Sequence, residues 1–385
     1  MAGVHPDVVT LRGEIFSPAG EALDDLLIAV DAPIPARRPW LDAWAASYSD
    51  RTAWLLGIGN LGRLEAAAVL AVSRRAGVHR ICSLGAGQSD HVLLPARTQT
   101  AAEQLAEALA EALRSLRGPW YLDLEQLPHR DPVAARLLQV LPAAISVPGA
   151  PLPYLTIPER LPAGKYAPKK FRQQTRAAQR RFDAAGVTTV QRSVQDPGEI
   201  RRLLPQVRQV RLARDHALGR VSDLDDEALT RFWERAALAL AERGELEATT
   251  LHADGDLAAY CLGMRDGSTY RLWDGRINPV WAPQWPGQLL YGQLLERLVV
   301  DGTCRQIDFM RGSTAFKHRL TQTALQRDHL QAASSMAVLA AVLAPGRARS
   351  AARALKQRSP ALSEAWAVVK RRRIRGLPHE EPSPP

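Results

Sequence analysis

Apolar residues recur at helical spacing in two clear stretches. Leu105, Leu109, Leu113 and Leu116 fall three or four apart within residues 100–116, predicting an alanine-rich helix stopped by Gly118-Pro119. Leu289, Leu290, Leu294, Leu295 and Leu298 follow Pro286-Gly287 in the same rhythm, with the proline placed where a helix starts. Further helices are predicted at 169–185, 197–214 and 225–244. Short apolar or alternating runs predict strands at 53–58, 64–73, 79–84 and 120–124, then at 188–192, 247–252, 256–264, 270–276 and 306–310. Asp254-Gly255 predicts a hairpin turn between two of them. Prolines 142, 148, 151, 153, 158 and 162 make 142–163 the best linker, with an extended strand near 154–157. The pattern is α/β (α+β): a lead-in over 1–22, one domain over 23–158, a second over 159–330 and a basic tail over 331–385. Both halves run strand–strand–strand–helix–strand, the order expected of one fold duplicated in tandem.

A chain of 385 residues with 46% hydrophobic and 23% charged residues is globular and large enough for two cores. Cys82, Cys261 and Cys304 are far apart, which argues against a disulfide framework or a zinc cluster, and the histidines show no metal-ligand spacing. The N-terminal stretch lacks a basic-then-apolar pattern, and the longest apolar run, 336–344, is too short to span a bilayer. A soluble cytoplasmic protein is therefore expected. The net charge of +10 is partly clustered, in residues 165–181, which hold no acid, and in 347–375. On the helix at 169–185, Lys169, Arg172, Arg176 and Arg180 share one face, suited to a phosphorylated or polyanionic ligand.

Gly57–Gly62 reads GIGNLG, a dinucleotide-binding pattern in isolation. No acid follows at the end of a second strand to hold a ribose, so a hairpin is the better reading. The segment 270–320 carries more chemistry. A strand bearing Asp274 runs through a Pro/Gly turn into a helix, a turn that aims free N–H groups at an anion. Gln284, Trp285, Pro286, Gly287 and Gln288 are the candidate pyrophosphate cradle. Asp274 and Asp308 could orient or deprotonate an acceptor amine, Tyr270 could protonate a leaving group, and Arg311 and Lys317 could face developing negative charge. Cys304 reads as structural, and direct attack on a bound acyl donor needs no enzyme nucleophile.

The order Trp273-Asp274, Pro286-Gly287, Asp308 before Arg311-Gly312, and Phe316-Lys317 resembles the acetyltransferase domain of CelD-like proteins. These form a branch of the GNAT superfamily related to the Fem aminoacyl ligases. Upstream, PWLDAWAASY (39–48), the loop 85–90 and FDAAG (182–186) fit the same pattern, so the resemblance spans about residues 35–325. It implies two tandem GNAT-like domains with mixed central sheets flanked by helices, the second carrying the transferase site and the first a scaffold. It implies acyl-CoA as co-substrate, no metal, and Lys317 as the cation steadying the oxyanion, with Arg311, Trp273, Arg172 and Arg176 against substrate. The expected reaction is acyl transfer to an amine on a small metabolite or sugar. Two alternatives stand beside it: a Fem-like transferase using aminoacyl-tRNA, and a non-catalytic module binding an anionic polymer or membrane.

Overall fold

A computed structural model of the chain describes residues 8–158, 165, 167–312 and 314–344. The first half runs β1 (Val8–Arg12), α1 (Phe16–Ala29), α2 (Arg38–Ala45), β2 (Thr52–Asn60), β3 (Arg63–Arg75), β4 (Val78–Ser83), α3 (Gln99–Arg114), β5 (Trp120–Pro128), α4 (Pro132–Val140) and β6 (Ala143–Pro148). The second begins β7 (Leu152–Thr156), α5 (Lys169–Ala184), β8 (Thr189–Val194), α6 (Pro197–Ala217), α7 (Glu227–Glu242), β9 (Leu246–Ala253), β10 (Asp256–Asp266) and β11 (Thr269–Ile277). It closes with α8 (Pro286–Asp301), β12 (Gln306–Asp308), α9 (Ala315–His318), β13 (Ala324–Leu325) and β14 (Arg327–Ala333).

The strands form two seven-stranded sheets, ordered β1-β2-β3-β4-β5-β14-β6 and β8-β9-β10-β11-β12-β7-β13. Each sheet is antiparallel except for one parallel pair at the same place, β4 with β5 and β11 with β12. The two sheets exchange a strand. β14 inserts between β5 and β6, while β7 sits between β12 and β13. Sequence reasoning placed a linker at 142–163; those residues instead hold β6 and β7, joined by a three-residue crossover at 149–151. The Gln126 amide clamps that crossover, donating to the Ala150 carbonyl and accepting from its N–H. The expected boundaries shift accordingly. The lead-in 1–22 contains β1, paired with β2 from Val8↔Ile58 to Arg12↔Trp54, and the start of α1. The tail expected from 331 begins inside β14, and the apolar run 336–344 is helical, packing Leu339 against Tyr121 and Ala333. The arginine cluster at 347–375 lies outside the described residues.

Helix periodicity explains the layers. α3 buries Leu105, Leu109 and Leu113 with α4 on one face of the first sheet. α5 and α8 cover one face of the second with Phe171, Phe182, Leu290 and Leu294. The remaining faces turn toward each other and share a core built on α1, α2, α6 and α7, in which Trp40 meets Phe232 and Trp273 at 5.1 Å each. The Gly57–Gly62 pattern is the expected hairpin: β2 pairs antiparallel with β3, and the Asn60 side chain accepts from Gly62 and Arg63 N–H.

α5 and α8 cross closely because Gly292 has no side chain. A Cβ there would lie 2.2 Å from Thr175 Cγ2 and 2.3 Å from its hydroxyl. Gly292→Ala is expected to destabilise the protein by about 1–3 kcal/mol through overpacking, read as a fall in the urea midpoint. Thr175→Ala in the same background should recover most of the loss.

Candidate functional site

β11 and β12 pair only over Thr269–Arg271 and Gln306–Asp308. β11 then continues to Ile277, while the chain beyond Asp308 turns away through Phe309 and Met310, whose φ is 56°. The two strands part there, so β11 loses its neighbour on that side. At the same level a bulge in the β10–β11 ladder leaves Trp273 with no residue opposite. α8 starts beside this parting after a short 3₁₀ turn, Pro279–Gln284, and Trp285, which is held left-handed at φ 61°. Pro286 has no N–H, and the Gln288 and Leu289 N–H groups both turn back on the Trp285 carbonyl. Within the cradle expected at 284–288, Gly287 is therefore the amide left to meet an anion. Arg181 stacks on the Trp285 ring at 3.7 Å and donates to the Pro283 carbonyl, which brings a cation to the same turn. The Gln288 side chain is spent on α5, reaching the Phe171 carbonyl and the Thr175 hydroxyl.

The acids chosen from sequence lie close to the parting, but their partners correct the roles assigned to them. Asp274 is buried and its Oδ2 accepts from Arg211, Trp233 Nε1 and Tyr260 OH, while Arg276 approaches Oδ1. Asp308 is fully buried, accepting from the Met310 N–H, from Arg271 at 2.6 Å and from His91 at 2.6 Å. Neither carboxylate is placed to take a proton from a ligand. Tyr270 points the other way, into the core under α5 and α8 with its hydroxyl against Gly263, which takes it away from any leaving group; burial drives its pKa well above the usual tyrosine value. Lys317 corrects a further expectation. Its ammonium donates to the carbonyls of Met310, Arg311 and Gly312 at 2.9, 2.7 and 3.2 Å, which uses all three of its protons. Lys317 is a clamp for the turn after β12 rather than a cation free to meet an oxyanion. Burial draws its pKa below the lysine norm against the opposing pull of Asp90 and Asp308.

Arg311 is also engaged within the protein. It pairs with Asp90 at 2.8 Å, reaches Glu125 at 3.7 Å and donates to the Gly87 carbonyl, so it fastens the 85–90 loop of the first half. Trp273 packs on Trp40 and Trp233 in the shared core. Arg172 is half-buried and donates to the Ala167 carbonyl, whereas Arg176 is exposed on α5. Phe316 fills the space beside the parting, stacked 4.8 Å from Tyr291, whose hydroxyl rests on Gly275. Cys304 is buried and its thiol faces the Gln306 carbonyl; burial raises its pKa, which suits a structural role.

Sequence reasoning missed the groups that tie these acids down, since each comes from a distant segment. His91 Nε2 meets Asp308 while Arg327 of β14 donates to His91 Nδ1 at 2.9 Å. Arg271 joins Asp308 to Asp266, and Asp266 accepts from Arg37 and from the Ile34 N–H. The chain of charges runs from α2 to β14 and stitches the two halves together. Burial and the flanking Arg271 and Arg327 hold His91 below its ordinary 6.5, although Asp308 pulls it up. For Asp308, burial raises the pKa, but the His91 hydrogen bond and charge, Arg271 and the Met310 N–H outweigh it, and the group ends below its ordinary value.

The sign follows. Below 6.5 the unfolded chain binds a proton at histidine 91 that the folded chain refuses, so this group removes stability as pH falls through 6.5 toward the depressed folded value. Asp308 contributes stability that persists until pH falls below 3.8 and through its own depressed value. The urea midpoint of the wild type should drop more steeply than that of His91→Gln when pH is lowered from about 7.5 to about 5.5.

Residues 169–318 match the family model described as an acetyltransferase (GNAT) domain. The matched segment runs from α5 through α9 of the second half. Among solved structures, FemX superposes with a TM-score of 0.57 at 10% identity, over 83% of this chain and 96% of that one. The C-terminal DUF2156 domain of an Agrobacterium fabrum protein, described as a lysylphosphatidylglycerol synthetase, superposes with a TM-score of 0.50 at 12% identity, over 84% and 95%. A tandem GNAT protein from the clavulanic acid biosynthesis pathway aligns over 86% and 98% at 15% identity, with a TM-score of 0.43. At these identities the likeness is one of fold. No curated protein sequence matches the chain. The architecture is two tandem GNAT-like domains, each a mixed sheet flanked by helices. Among the described residues no helix is long and apolar enough to cross a membrane.

Proposed function

We propose that the protein is an N-acyltransferase of the CelD-like type, moving an acyl group from acyl-CoA to an amine on a small metabolite or sugar. The observation that carries this reading is the parting of β11 from β12 beside the start of α8, inside the segment that matches the GNAT domain. Beyond Leu272 the open edge of β11 offers backbone N–H and C=O groups with which an amide-bearing pantetheine arm can pair. The pyrophosphate would rest at the start of α8, on the Gly287 N–H and near Arg181, where the helix dipole favours negative charge. The amine attacks the thioester carbonyl, a C–N bond forms, the C–S bond breaks and the thiolate departs. With Lys317 committed to its turn, the main chain at the Trp273 bulge is the better candidate to meet the oxyanion. The first half holds Asp308 through His91, and Arg311 through Asp90. Calorimetric titration of the full chain with CoA should show one site, weakened by Arg181→Ala; absence of both heat and thermal protection would remove the donor assignment.

Aminoacyl-tRNA as donor is the second reading, favoured by the FemX-like fold and by the exposed Lys169, Arg176 and Arg180 on α5. Retention of bulk charged tRNA on filters, persisting at raised salt, would favour it over CoA.

A further inference from the structure

Two aspartates occupy matching places in the two sheets. Asp123 lies opposite Cys82 in the parallel β4–β5 pair, and Asp308 lies opposite Arg271 in the parallel β11–β12 pair. Each meets a histidine Nε2 from a distant segment, His329 of β14 for Asp123 and His91 for Asp308. The settings then diverge. The Asp308–His91 side chains are 0% and 5% exposed, and the second imidazole nitrogen is occupied by Arg327. The Asp123–His329 side chains are 32% and 21% exposed, and His329 Nδ1 has no partner among the described residues.

The open pair is supported like a working group. The Tyr121 hydroxyl accepts from Gln331 at 2.7 Å, and the nearby Asp123 charge helps burial push its pKa up. Glu125, on the same face of β5, is reached by Arg311, and the Arg311 carbonyl is one of the three that hold Lys317. The pair therefore shares a face between the halves with the turn that follows β12.

We propose that Asp123 and His329 form the proton-accepting dyad for the acceptor. Asp123 takes the Nε2–H and so fixes the tautomer, leaving the Nδ1 lone pair to receive a proton from the acceptor's ammonium group. The freed amine lone pair forms the C–N bond to the acyl carbon, the C–S bond breaks, and the second amine proton goes to the departing thiolate. His329 returns its proton to solvent. This rests on the acyl-transfer reading and adds to it a cationic primary amine as the acceptor class. Asp123 and Glu125 of β5 face the imidazole; around Asp123 stand Tyr121 of the same strand, with Arg80 over its ring, and Cys82 opposite on β4. Burial lowers the imidazole pKa, but the hydrogen bond and charge of Asp123, with Glu125, outweigh it and raise the group above its ordinary value.

The test uses the full chain with isotope-labelled histidine, His329→Gln for assignment, and n-butylammonium against n-butanol as probes. The ammonium, and not the alcohol, should shift the His329 resonances, and Asp123→Asn should lower the His329 pKa and abolish the response. In turnover with acetyl-CoA, His329→Gln should lose about 10²–10⁴-fold in kcat and the acid limb of the pH profile, with CoA binding unchanged. No probe response, or an unaltered rate and pH profile in His329→Gln, while CoA still binds normally, overturns the dyad and leaves the acyl-CoA reading standing. A probe response lost in Asp123→Asn, in a protein that does not bind CoA, supports the dyad as an amine site and removes the donor. Should His329→Gln fail to fold, the rate and profile of Asp123→Asn decide in its place.

Discussion

Asp308→Ala is expected to cost about 3–5 kcal/mol of folding free energy, because it strips buried Arg271 of one of its two carboxylates and leaves the His91 Nε2–H without its acceptor. Arg271 and His91 both meet the Asp308 carboxylate at 2.6 Å, and Arg327 sits on the far side of His91. Chemical denaturation should show a large fall in the urea midpoint, and Asp308→Asn should share much of it, since the amide keeps the shape but not the charge. A catalytic base would behave otherwise: the asparagine variant would fold normally and lose only rate. The strand exchange sharpens the expectation. His91 and Arg327 bring the first sheet to β12 of the second, so the loss should appear as weakened cooperativity between the halves.

Asp274→Ala is expected to be as damaging, by about 3–5 kcal/mol, through the same physics. Arg211 at 3.0 Å would lose its inward partner and keep only Asp223, whose side chain is 68% exposed. Tyr260 OH and Trp233 Nε1 would become buried donors with nothing to donate to. Acyl transfer measured per folded molecule should stay near the wild-type value. A well-folded variant with a collapsed rate would return Asp274 to the chemistry.

Local patterns in the sequence reached the elements, whereas long-range pairing stayed hidden. The leucine rhythm of α8 and the Pro286-Gly287 start are encoded within one segment, as are the hairpin turns at Gly62 and Gly255, and each was placed closely from sequence. β14 carries only a short alternation, Leu330 and Ala332 inward with Gln331 outward, and its meaning depends on β5 and β6. β1 is legible only once β2 supplies its ladder. The same limit explains the acids. Asp274 and Asp308 stand where a sequence reader expects catalysts, at strand ends beside a helix start. Their roles are set by Arg211, 63 residues away, and His91, 217 residues away. Lys317 shows the converse: its neighbours are local, but the turn that folds three carbonyls onto its ammonium exists only because Met310 adopts a positive φ.

Hydrogen–deuterium exchange of the full chain, with and without acetyl-CoA, probes the donor site most directly. Protection is predicted in residues 272–291, which span the free edge of β11 and the first turns of α8, together with 308–317. Unchanged exchange across both segments at saturating acetyl-CoA, or protection confined to α5, would contradict the placement of the donor between the parted strands.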